Sequence, residues 1–178
     1  MPSVLFIMPI FILFIQQEWT WSINAEAGFK VLTPIALIHD VKEVPTPLDV
    51  IQFHQYHAGS VSDSSLAMAF VIDYYKLPKQ DSEIDDAYFR DFFENTIDQI
   101  LTSLDGSLVY MDIIHQPDSE LCIWKAKYRE GKGVIRGHTL LAGDKYYGLQ
   151  VFGMEKDKPD QLMSKFLDSF KLLSSPSP

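Results

Sequence analysis

The stretch IQFHQYHA, residues 51–58, sets His54 and His57 three residues apart, a spacing at which two imidazoles can share a metal ion if the chain is helical. On a strand the side chains alternate faces with a period of two, so the same pair points to opposite sides of a sheet. The Val, Ile, Phe and Tyr content of the segment and the following Gly59 predict a strand. The two histidines are therefore expected not to share an ion. His39, His115 and His138 are scattered, with no Cys or acidic partner at ligand spacing in the sequence, and no metal site is predicted.

Other chemistry-bearing patterns fail on spacing. DSEIDD, residues 81–86, offers Asp81, Glu83 and Asp85 like the start of a calcium loop, but the sixth position is Asp86 where glycine is needed and the twelfth is Phe92 where glutamate should close the site. GKGVIRG holds Lys132 among glycines without the phosphate-cradling G-x-x-x-x-G-K-[ST] spacing, and it reads as a hairpin turn. No G-x-S-x-G elbow is present, and the serines of GSVSDSS, residues 59–65, read as a loop. Cys122 alternates with Trp124 and Ala126 on an apolar strand face, the setting of a buried small residue rather than a nucleophile. No catalytic residue and no cofactor is predicted, and the protein is expected not to be an enzyme.

One group of side chains carries a sharper expectation. A two-residue turn at Gly131 and Lys132 places Lys127 opposite Arg136 and Lys125 opposite His138, with Cys122, Trp124, Ala126, Tyr128, Ile135, Thr139 and Leu141 on the other, apolar face. A three-residue turn at GDK then sets Gln150 opposite His138. Lys125, Lys127, Arg136 and His138 form a candidate binding patch for an anion or an acidic partner, unless Asp112 or a loop carboxylate neutralises it.

These residues need elements to hold them. WTWSIN and GFKVLTP read as strands, and LTPIALIHDVKEVPTPL as an irregular connection with three prolines. VIQFHQYHA follows as a strand, and the apolar run of residues 66–75 as a central strand covered on both faces. Phe89, Phe92, Phe93, Ile97, Ile100, Leu101 and Leu104 recur at helical spacing and predict a helix over 85–104, with an acidic entry and Gly106 as a left-handed cap. SLVYMDIIH, ELCIWKAKYRE, GVIRGHTLLA and YYGLQVFGM predict a four-strand antiparallel meander. A last helix over 158–172 presents Leu162, Met163, Phe166, Leu167 and Phe170 on one side. The order argues an α+β sandwich.

The chain has 178 residues, is 47% hydrophobic and carries 15 basic against 24 acidic residues, a net charge of -9. One core suffices for this length, and the acidic balance opposes contact with nucleic acid. With Cys122 alone, no intramolecular disulfide can form. The apolar run Val4 to Ile15 is too short to span a bilayer as a helix and matches the h-region of a signal peptide. Residues 1–17 are accordingly read as a signal peptide, with a boundary as late as Ala27, residues 18–173 as one domain and 174–178 as a tail. Export to the periplasm or outside the cell follows, with no stable membrane span after processing. The missing basic residues before Lys30 argue the other way.

From Trp19 to Leu173 the chain resembles the PsbP/Mog-type α+β sandwich family, including DcrB-like bacterial envelope proteins, on GFKVLTP, the mid-chain amphipathic helix, GDKYYGLQVFG and FLDSFKLL. These are packing motifs. The resemblance implies a non-enzymatic accessory module that binds another protein, and it transfers no functional residue. The alternatives are a small-ligand or anion-binding envelope protein, for which a pocket between the long helix and the sheet is expected, and a cytoplasmic interaction domain.

Overall fold

The computed structural model describes residues 18–46, 49–59, 68–77, 86–157 and 160–173. The apolar N-terminal run, the serine loop from 60 onward, most of DSEIDD and the SSPSP tail lie outside the described residues. Strands β1 (Thr20–Asn24) and β2 (Phe29–Thr33) form a hairpin, followed by β3 (Ile38–Pro45), β4 (Val50–Ala58) and β5 (Met68–Lys76). Helix α1 (Asp86–Leu104) leads into the meander β6 (Ser107–Gln116), β7 (Ser119–Tyr128), β8 (Gly133–Ala142) and β9 (Lys145–Met154), and α2 (Asp160–Leu167) precedes the short β10 (Lys171–Leu172).

The strands make a seven-stranded antiparallel sheet in the order β3-β4-β5-β9-β8-β7-β6 and a three-stranded sheet in the order β1-β2-β10. Period-two alternation divides the large sheet into two faces. On one, α1 lays Phe93, Ile97 and Leu101 against Cys122, Trp124, Ala126, Ile135 and Tyr146. On the other, β2 and α2 bring Phe29, Val31, Met163 and Phe166 against Phe70, Ile72, Leu149 and Val151. Each fully buried large apolar side chain contributes about 1.5–3 kcal/mol, so the two layers are fixed by two separate cores. The expected α+β class, the long helix and the meander are present as predicted, and β5 is buried on both faces between β4 and β9.

Four local expectations are corrected. The proline-rich connection contains β3, whose eight residues are all exposed; an edge strand paired only to β4 buries no apolar stripe that could announce it. Pro45 ends it, where a missing N–H costs no inner ladder bond. The left-handed cap of α1 is Asp105 (φ 49) rather than Gly106, whose N–H instead closes on Leu101 O at 2.9 Å, a Schellman closure. Helix α2 stops at Leu167 because Ser169 Oγ donates to Phe166 O at 2.7 Å and accepts Leu32 N–H at 2.9 Å, tying the chain to β2. Its expected start at 158 lies outside the described residues, Leu162 is exposed, and Phe170 packs from beyond the helix, stacked on Phe29.

The fourth correction concerns both meander turns. The β7–β8 loop spans Arg129 to Lys132, with Arg129, Glu130 and Gly131 all at positive φ, so Tyr128 faces Gly133, Lys125 faces Arg136 and Ile123 faces His138. The two-residue shift keeps every side chain on its expected face. It lets the Tyr128 and Trp124 rings lie over Gly133 and Gly137, where an added Cβ would sit 2.4 Å and 2.2 Å from those rings. The β8–β9 turn has two residues, with Gly143 at φ 60. That one-residue slip turns Gln150 away from His138, onto the α1 face opposite Gly137.

Candidate functional site

His54 and His57 lie on opposite faces of β4, as a strand requires, and each has found a partner from β3. His54 Nδ1 lies 3.1 Å from His39 Nε2, and His39 stacks on Tyr56 with ring centroids 4.2 Å apart. On the α1 face, His57 Nε2 meets Asp40 Oδ2 at 2.9 Å. Both partners were hidden in the segment read as irregular. His115 meets Glu120 Oε2 at 2.7 Å across the β6–β7 hairpin, a pair that the QPDS turn could have revealed. Among the described residues, no three His, Cys, Asp or Glu side chains are close enough to hold a metal ion.

The cationic strand residues do come together, and carboxylates of the same chain meet them. Asp160, at the start of α2, lies 3.3 Å from Lys125 and 3.9 Å from Arg136, whose guanidinium also donates to Ser164 Oγ at 2.8 Å. Lys127 is 3.6 Å from Glu155. Burial lowers the His138 pKa, opposed by Asp168 and reinforced by Arg136. The expected neutralising carboxylate thus comes from α2 and the turn before it, not from Asp112. The result is an ion-paired seam between β7, β8 and α2.

A buried polar group occupies the α1 face of β4, β5 and β9. Asp73 accepts Gln55 Nε2 at 2.9 Å and Gln150 Nε2 at 3.1 Å, one on each carboxylate oxygen. Burial pushes its pKa up to about 6 although both amides and Lys42 pull it down. Cys122, fully buried beside Trp124, is pushed up to about 12 by burial and then by Asp112. A thiol so protonated and enclosed is a packing group.

Two surface clefts are lined by the described residues. One of about 470 Å³ lies where a pocket between helix and sheet was expected, between α1 and β6, lined by Arg90, Asp91, Met111, Asp112, Ile113 and His115 among others. The larger, about 780 Å³, opens at the end of the sandwich where the β1–β2 turn, the start of β4, the end of β5 and the β8–β9 turn converge. Its walls include Glu26, Asp49, Asp144, Lys76, Tyr56 and Tyr74.

The outer edge of β6 is a further exposed feature. It is the last strand of the sheet and exposes Leu108, Val109, Tyr110 and Ile114. The opposite edge, β3, carries Asp40, Lys42, Glu43 and Pro45, residues that discourage strand addition. Over its ten residues β6 has only Asp112 and His115 of that kind. No helix of the described residues is long and apolar enough to cross a membrane.

No family model matches the chain, and no curated protein does. A structure of a Pseudomonas aeruginosa protein of unknown function overlaps 89% of this chain and 99% of its own, at 13% identity and a TM-score of 0.40. The solution structure of cyanobacterial PsbP from Synechocystis sp. PCC 6803 matches with a TM-score of 0.61 at 12% identity, over 88% of this chain and 93% of that one, so the fold is PsbP-like.

Proposed function

We propose that this protein is a non-enzymatic accessory module that binds an extended segment of another protein along the free edge of β6, outside the cytoplasm. The observation that carries the reading is the contrast in charge between the two sheet edges: β3 carries Asp40, Lys42, Glu43 and Pro45 in eight residues, whereas β6 carries Asp112 and His115 in ten, and past the irregularity at Leu108/Tyr110 its ladder is flanked by exposed apolar side chains. An added strand satisfies the open backbone groups of such an edge, and pockets for alternate side chains select its sequence. The signal-peptide character of Val4 to Ile15 supports the location. The GFKVLTP opening and FLDSFKLL close support membership of the PsbP/Mog-type family, which includes DcrB-like envelope proteins. The cations at Lys125, Lys127 and Arg136 face carboxylates of their own chain, which favours a protein partner over an anion.

The test places a photo-crosslinking residue at Val109 or Tyr110, with Glu94 on the outer face of α1 as control, in cells expressing the full chain. A discrete adduct with one other protein from the β6 positions alone is expected. Adducts from all three positions, from none, or with a second copy of this chain would overturn the reading. The mass of the recovered protein tests location: loss of a segment ending between Gln16 and Trp19, ahead of β1, is expected, and an intact Met1 in a soluble cytoplasmic fraction refutes export.

A further inference from the structure

The larger cleft combines three properties that select one class of ligand. Its rim carries the carboxylates of Glu26, Asp49 and Asp144 against Lys76, the one Lys or Arg among the described lining residues. None of the three forms an ion pair among the described residues. Lys145, opposite Lys76 in the β5–β9 ladder, is not among the lining residues and holds its ammonium beside Gly28.

The inner wall is aromatic. Tyr56, Tyr74 and His54 line it, and Tyr74 contacts the rings of His54 and Tyr147 with centroids 5.5 Å and 5.2 Å away. Tyr74 is only 5% exposed, yet its hydroxyl makes no hydrogen bond to any described residue. The ring is buried while the hydroxyl opens on the cleft, where an incoming donor can meet it. Burial raises its pKa, and Asp144 and Glu26 raise it further, which places the hydroxyl in the negative potential of the rim. An N–H donor bearing positive charge satisfies the Tyr74 oxygen, meets the carboxylates and gains from the faces of the tyrosine rings.

A metal ion does not fit, because the described carboxylates and histidines do not converge on one point. Spread negative charge over an aromatic wall suits an extended organic cation. We infer that this cleft binds an ammonium or guanidinium group carried on an apolar stem, either as a free small cation or as a Lys or Arg side chain of a partner. The cleft lies at the β1–β2 and β8–β9 turns, away from the β6 edge, so binding here does not require strand addition there.

The experiment titrates the 15N-labelled protein with butylguanidinium, with its neutral isostere butylurea and with the capped tripeptide acetyl-Gly-Arg-Gly-amide. Butylguanidinium at millimolar concentration is expected to shift the amide resonances of Ala27, Tyr74, Lys76 and Asp144, whereas butylurea leaves them in place. The double variant Glu26→Gln/Asp144→Asn is expected to weaken binding about three- to tenfold, whereas Asp40→Asn on the other face leaves it unchanged. Tighter binding of the tripeptide assigns the site to a partner's side chain, and equal or weaker binding assigns it to a free cation. Equal shifts with butylurea, or none with any of the three, overturn the inference, and this contrast in the wild-type protein holds even if the double variant does not fold.

Discussion

Gln150 donates its side-chain amide to Asp73 at 3.1 Å, deep on the face of the sheet covered by α1, and Gln55 fills the other carboxylate oxygen at 2.9 Å. Two neutral amides do not replace lost hydration, so burial raises the Asp73 pKa from 3.8 to about 6. Because the folded value is the higher one, the folded protein holds this proton more tightly than the unfolded chain. The stability from this group is full below pH 3.8 and is lost as pH rises through about 6. A shift of that size corresponds to about 2–3 kcal/mol. Asp73→Asn keeps a hydrogen-bonding amide, since one glutamine can turn its oxygen inward, and removes the titration. Urea unfolding is expected to find the variant more stable than wild type at pH 7.5 by about 1–2 kcal/mol, with the gap closing at pH 4. A gap independent of pH would show that Asp73 ionisation does not load the fold.

The aromatic rings seated on glycines give a second prediction. Any Cβ at Gly137 would lie 2.2 Å from the Trp124 indole, inside a core where Trp124 also donates to Thr139 Oγ1 at 3.2 Å. Gly137→Val is expected to lower stability by about 1–3 kcal/mol through overpacking. Gly131 also sits in the β7–β8 region, but at φ 81 and with nothing within 4 Å of an added Cβ. Gly131→Asn, which tolerates the left-handed conformation, should cost under about 1 kcal/mol. Equal losses in thermal unfolding would mean that the ring seats do not set the register.

These seats also show where the sequence was legible. The stripe from Phe89 to Leu104 could only be a helix, and strands with one apolar face, such as that of Cys122, Trp124 and Ala126, declared their orientation. β9 did not, because Tyr146 and Phe152 face α1 while Tyr147, Leu149 and Val151 face the other core. With both faces apolar, only turn geometry decides the register, and a slip of one residue moved Gln150 into the polar core. The Lys125 and Arg136 pairing shifted by two, which preserves faces, so the cation cluster was legible while its counter-charges were not. Asp160 reaches it from a helix distant in sequence. The larger cleft was invisible for a related reason: Glu26, Asp49, Tyr74 and Asp144 come from four separate segments.

Cys122 gives a third prediction. Its side chain is fully buried and its pKa is pushed up to about 12, so neither access nor thiolate favours reaction. An aromatic disulfide reagent at pH 8 should leave the native protein unmodified and titrate one thiol in urea. The labelling rate should follow the opening of the α1 layer. Rapid labelling without denaturant would show that α1 does not hold its place over β7.

The ion-paired seam gives the fourth. Asp160 is largely exposed, whereas the Lys125 and Arg136 side chains are only 21% and 18% exposed, so the cations and not the carboxylate are the embedded members. Removing the carboxylate costs little as a surface pair, about 0.2–1 kcal/mol, but it leaves two partly desolvated positive charges side by side on adjacent strands, Lys125 directly opposite Arg136. Asp160→Asn is therefore expected to acquire a stabilising response to phosphate in thermal unfolding that wild type lacks. Lys125→Gln in the same background should abolish that response, because one cation still has Ser164 as its neutral partner through Arg136. If wild type already responds to phosphate as strongly as Asp160→Asn, the seam does not neutralise the strand cations, and the anion-binding reading of Lys125, Lys127, Arg136 and His138 regains its ground.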